Sequence, residues 1–98
     1  MMKTNFQLTH EVLDIKKVEQ LLADENSGGH VIFIGTVRNE TKGKKVVRLE
    51  FEAYEPMAIG ELEKIAHEIG EKWPVQKVIL FHRTGICYVG EVPVIAAV

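Results

Sequence analysis

Polar and apolar residues alternate through Asn5, Phe6, Gln7, Leu8 and Thr9, the two-residue period of a short strand. The period then lengthens. Ile15, Val18, Leu21 and Leu22 share one helical face, Asp14 stands where an N-cap belongs, and Asn26-Ser27-Gly28-Gly29 is the turn before which the helix must stop. His30 to Ile34 is a continuous apolar run rich in β-branched residues, which predicts a strand buried on both faces. It leads into Gly35-Thr36-Val37-Arg38-Asn39. The polar, cationic stretch from Glu40 to Lys45 follows and predicts a mobile loop, because it holds nothing that could anchor a core.

Val47, Leu49, Phe51 and Ala53 alternate with Arg48, Glu50, Glu52 and Tyr54, predicting a strand with one wet face. Pro56 suits the first turn of a helix whose buried side is predicted as Leu62, Ile65, Ala66, Ile69 and Trp73. Gly60 and Gly70 each weaken that helix by about 1 kcal/mol relative to alanine, a cost that burial of the stripe should exceed. Trp73-Pro74 closes it. Lys77 to Arg83 is another strand, Thr84-Gly85 turns the chain, and Ile86 to Val89 is a short extended piece ending at Gly90-Glu91. Val92 to Val98 is a last apolar strand, with Pro93 near its start, where a missing donor is tolerated. The predicted order is β-α-β-β-α-β-β-β, an α/β (α+β) domain spanning residues 1–98. Val94 to Val98 has the composition of an interior strand. Two helices are few for the faces of about five strands, so another chain, or sequence that normally follows, is expected to complete the cover.

Composition narrows the function. Hydrophobic residues make up 46% and charged residues 27% of the 98, as in an ordinary globular protein of one core. No apolar run approaches the roughly 20 residues that cross a bilayer, and no apolar signal core follows Met1, so a cytoplasmic location is the default expectation. A formal charge of −2 argues against a general nucleic-acid binder. Cys87 is the single cysteine, which excludes an internal disulfide and thiolate zinc clusters; His10, His30, His67 and His82 are scattered without paired ligand spacing, so no metal is expected.

Arg38 is the sharpest chemical candidate. It follows a strand and a glycine, where α/β folds place functional groups, and its rigid fork of donors suits phosphate or carboxylate. The residue pattern alone favours a solvated strand-end arginine over a ligand-binding one, and for Lys42, Lys44 and Lys45 it favours solubility over an enlarged positive field. His82-Arg83 is a second strand-end cluster, read either as ligand-facing or as an interior histidine beside an arginine paired with a helix glutamate; the second reading is preferred. Glu50, Glu52 and Glu55 near Tyr54 resemble a carboxylate set, but an exposed row on a strand more often protects an edge. Cys87 among apolar neighbours is expected to be inert, and Gly28-Gly29 lacks the spacing of a phosphate loop.

Taken in order, Gly35-Thr36-Val37-Arg38-Asn39, Leu49 to Tyr54 with Met57-Ala58, Lys72-Trp73-Pro74, His82-Arg83-Thr84-Gly85 and Gly90-Glu91 closely resemble the large, catalytic subunit of molybdopterin synthase, the MoaE family. The resemblance runs from about Phe6 to Val98. It implies an α/β hammerhead-type mixed sheet with two helices and a small extra antiparallel sheet. It also implies a homodimer that binds two small, ubiquitin-like, thiocarboxylated subunits of the MoaD type to form a heterotetramer. The implied activity is successive transfer of two sulfurs to cyclic pyranopterin monophosphate, which opens the cyclic phosphate and leaves a dithiolene; no cofactor is implied. The positions that match the family's substrate contacts are Thr36, Val37 and Arg38, with Arg38 carrying the catalytic role. In the family a Ser-x-His-Arg segment and a lysine-bearing helix follow the strand equivalent to Val92–Val98. These are not among the 98 residues, which alone are therefore expected to be inactive. The other functions considered are a non-catalytic dimerising scaffold for the same small subunit and an unrelated small ligand-binding regulatory domain.

Overall fold

The computed structural model describes residues 2–52 and 55–98. Ten elements follow in order: β1 (Lys3–Thr9), α1 (Ile15–Leu22), β2 (Ile32–Gly35), β3 (Glu40–Thr41), β4 (Lys44–Lys45), β5 (Arg48–Phe51), α2 (Glu55–Lys72), β6 (Lys77–Arg83), β7 (Gly85–Tyr88) and β8 (Val94–Ala97). Ala53 and Tyr54, the predicted end of the strand that begins at Val47, lie outside the described residues. The main sheet has four strands in the order β1-β6-β8-β2, with β1 parallel to β6 and β8 antiparallel to both its neighbours. Two small antiparallel ribbons, β3-β4 and β5-β7, complete the hammerhead-type α+β fold.

Cross-strand register sorts the side chains into two faces. Ile79, Ala97 and Ile32 form one row and Phe81, Ile95 and Ile34 the next. Leu13, Val18 and Leu22 from α1 and its approach pack on this face, giving the main core with Ile79, Phe81, Ile95 and Ala97. The helix is fixed at both ends. Asp14 Oδ1 accepts from the N–H groups of Lys16 (2.9 Å) and Lys17 (3.4 Å), as its N-cap position predicts. At the other end, Lys77 reaches from β6 to donate from Nζ to the carbonyls of Leu21 (2.7 Å) and Ala23 (2.9 Å), placing a cation at the helix C-terminus.

The opposite face carries Leu80, Ala96 and Phe33 in one row and His82, Val94 and Gly35 in the next. α2 lies here against β1, and Met2 crosses it at Gly70, where a Cβ would meet the methionine sulfur at 2.9 Å. The predicted buried stripe holds only in part. Ala66 is buried and Leu62 and Ile69 are half-buried, but Ile65 and Trp73 are exposed. A helix about 10 Å across covers about two strands at ~4.8 Å spacing, so one helix cannot roof four. Ile69 therefore borders an apolar trough with Val31, Val78, Leu80, Ala96 and Val98.

Two further expectations are corrected. The His30–Ile34 run is not a doubly buried strand: β2 is the sheet edge, with Val31 67% and Phe33 61% exposed. Its continuous hydrophobicity matches one face on α1 and another left open beside α2. The uncovered surface takes in β2 and the same face of the last strand, where Ala96 and Val98 border the trough, while Ile95 and Ala97 on the α1 side are buried. The Glu40–Lys45 stretch is not an irregular loop but a hairpin, Glu40 opposite Lys45 and Thr41 opposite Lys44. Positive φ at Lys42 (53°) and Gly43 (77°) supplies the primed turn that a two-residue hairpin needs. The burial of β5 does not follow the alternation of its sequence: its apolar side is half-buried only at Phe51, while Leu49 is 44% exposed.

An exposed edge strand with adjoining apolar residues is a site of association. The 98-residue chain is expected to self-associate, and Phe33→Lys to shift it toward monomer in sedimentation velocity across a concentration series. A wild-type chain that stays monomeric throughout would contradict this.

Candidate functional site

Gly35 ends β2 because nothing larger fits: a Cβ there would lie 2.6 Å from Cγ1 of Val94, its register partner. The chain then leaves the sheet through Thr36, Val37 and Arg38. Val37 is buried at 3% exposure and held through both backbone groups, its N–H donating to the Glu91 carbonyl (3.0 Å) and its carbonyl accepting from Gly90 N–H (2.9 Å). Thr36 and Arg38 flank it on the surface. Arg38 is exposed and forms no ion pair among the described residues. Lys42, Lys44 and Lys45 follow on the exposed hairpin and add cations to the same segment. A fixed backbone carrying an unpaired, forked cation can bind a phosphate or carboxylate.

His82 and Arg83 do not join this site as ligand-facing groups. His82 is half-buried, its Nδ1 2.7 Å from the Arg83 carbonyl and its ring edge-on to Phe51 at 5.2 Å between centroids. Arg83 is paired, but with Glu91 rather than with a helix glutamate: Nη1 donates to Oε2 at 3.2 Å, with the arginine side chain 15% and the glutamate 35% exposed. Glu91 Oε1 also accepts from Tyr88 N–H at 2.7 Å. These two donors hold the Glu91 carboxyl below its usual range, the backbone bond to Tyr88 being the larger cause. It is therefore ionised at neutral pH. In the sequence Gly90-Glu91 is only the end of the extended piece Ile86–Val89 and part of the family motif, because its partner Arg83 lies on the far side of β7 with no local spacing to reveal the pair.

The hollows at the ends of the parallel strands β1 and β6 have the opposite character. They are lined by His10, Glu50, Glu52, Phe51 and Thr84, with Glu61 and His82 in the adjoining one. Exposed Glu50 and Glu52 give them a sign that repels an anion. His10 meets Thr84 there, Nδ1 to Oγ1 at 3.2 Å. Cys87 is fully buried, as its apolar neighbours predict.

Comparison with known proteins bears on this arrangement. The molybdopterin synthase catalytic subunit of Homo sapiens is 44% identical over 96 residues, covering 98% of this chain, and that of Rattus norvegicus is 43% identical over 96. The chain spans about half the length of these curated relatives, 51% and 48% respectively. Among solved structures, molybdopterin synthase from Staphylococcus aureus superposes with a TM-score of 0.86 at 37% identity, covering 94% of this chain and 67% of that one. The molybdopterin biosynthesis MoaE protein from Burkholderia ambifaria gives 0.84 at 29% identity, covering 96% of this chain and 62% of that one. The sequence profile described as MoaE protein matches residues 8–98, which takes in β2, the Arg38 turn and the Arg83–Glu91 pair. The chain belongs to the MoaE protein family.

Proposed function

We propose that this chain belongs to the large subunit of a cytoplasmic molybdopterin synthase, working in the biosynthesis of the molybdenum cofactor. Its substrate is cyclic pyranopterin monophosphate. The sulfur comes from the C-terminal thiocarboxylate of a small, ubiquitin-like subunit, two of which bind a dimer of large subunits. Two sulfurs pass in succession to the pterin side chain, the cyclic phosphate opens, and a dithiolene remains. Thr36 and Val37 form the substrate-binding turn, and Arg38 holds an anion there, either the phosphate or the carboxylate left on the small subunit.

The observation that carries this reading is Arg38 itself: exposed, unpaired among the described residues, and joined to a buried residue whose backbone is bonded on both sides. A guanidinium so held stabilises negative charge without first having to be ordered. Membership of the MoaE family supports a phosphate or a carboxylate as that anion.

The test is reconstitution. The complete gene product, mixed with a thiocarboxylated small subunit, should form a complex by native mass spectrometry and convert cyclic pyranopterin monophosphate to molybdopterin. A complex without product would favour the scaffold reading. No complex from a folded sample would sink both.

A further inference from the structure

The segment from Arg38 to Val46 departs from the body of the molecule and returns to it at a single place. On departure, Val37 exchanges backbone hydrogen bonds with Glu91 and Gly90 at 3.0 and 2.9 Å. On return, Val89 N–H donates to the Val47 carbonyl at 3.1 Å and Arg48 pairs with Tyr88. Both feet of the cationic segment therefore stand on the turn Tyr88-Val89-Gly90-Glu91. That turn is closed by Glu91 N–H on the Tyr88 carbonyl (3.0 Å) and depends on a positive φ of 88° at Gly90.

No core packing fixes this turn, since Tyr88, Val89 and Gly90 are all exposed. Beyond its backbone bonds to Val37 and Val47, it is held by the side-chain carboxylate of Glu91. One oxygen takes Tyr88 N–H, bracing the turn from within, and the other takes the guanidinium of Arg83. Arg83 is rooted in the sheet: its side chain is largely buried, and its N–H donates to the Pro93 carbonyl at 2.7 Å. A continuous series of contacts thus runs from the end of β6 through Arg83, Glu91 and Val37 to Arg38.

We propose that Arg83 and Glu91 are positioning residues for Arg38, tying the anion-binding turn to the central sheet without touching the anion themselves. This rests on the reading of Arg38 as the anion-binding group, and the two can fail separately.

Glu91→Gln is the informative change. Two donors face the side chain, and an amide offers one acceptor oxygen where a carboxylate offers two, so one contact must be lost. In the complete gene product, amide exchange at Val37 and Gly90 is expected to accelerate by about tenfold or more, as local opening does, while Ile79 and Ile95 in the sheet stay protected. The kcat for molybdopterin formation should fall by roughly ten- to a hundredfold with a smaller change in KM. In an Arg38→Ala background the same change should cost nothing further, because residues that act through one group are not additive. Removing the partner of a buried arginine can also unfold a chain. Arg83→Met, which removes the less exposed of the two charges and leaves a Glu91 carboxylate that is 35% exposed and can be hydrated, is the second variant and should give the same pattern. Unaltered exchange at Val37, or turnover losses that add to those of Arg38→Ala, would overturn the proposal, as would loss of the fold in both variants. If Arg38→Ala instead keeps full turnover, or wild type makes no product, the reading of Arg38 fails, while exchange at Val37 still decides whether Glu91 holds the turn.

Discussion

Arg38→Ala in the complete gene product is expected to lower molybdopterin formation by roughly a hundredfold or more, the usual scale for removing a preorganised group that stabilises developing charge. The same change should leave stability within about 0.5 kcal/mol, since Arg38 is exposed and pairs with no carboxylate among the described residues. The two measurements together separate an anion site from a structural one. Arg38→Lys sharpens the distinction: it keeps the charge but not the planar fork, so an intermediate loss indicates bidentate contact and full activity indicates a diffuse field. The three lysines of the hairpin make the second outcome a real competitor. Product at the wild-type rate from Arg38→Ala would remove Arg38 from the site.

Arg38 stood out in the sequence as a candidate because its signal is local: an apolar run, a glycine, then a cation. Asp14 was legible as a cap for the same reason. The features that escaped depend on partners distant along the chain. Glu91 gave no sign of joining Arg83 to Val37, because the three meet only once β6, β7 and the end of β2 are assembled. The hairpin at Lys42-Gly43 was hidden because strands of two residues have no period to detect. The errors at β2 and α2 share one cause. Hydrophobic pattern reports that a residue suits a dry environment, not whether this chain supplies it. Phe33, Ile65 and Trp73 have core-like spacing, and the open face of the sheet leaves them exposed.

The contrast between Ile79 and Ile65 tests that distinction. Both satisfy their element's pattern, yet Ile79 has no exposure and Ile65 has 44%. Ile79 lies between Asn5 on β1 and Ala97 on β8, beneath the α1 residues Val18 and Leu22. Ala97 is too small to expand into a void there, and α1 is tied at both ends, by Asp14 and by Lys77, so the site cannot readily collapse. Ile79→Ala is therefore expected to cost about 2–5 kcal/mol in urea unfolding. A domain of this length has on the order of 5–15 kcal/mol in all, so the loss should be visible as a large drop in midpoint. Ile65→Ala should cost no more than about 0.5 kcal/mol, because its ridge of α2 borders the uncovered trough. Both should be measured in the Phe33→Lys background, where self-association is expected to be reduced. Equal losses at the two positions would mean that the outer ridge of α2 is buried in solution, and that the face beside β2 is occupied even there.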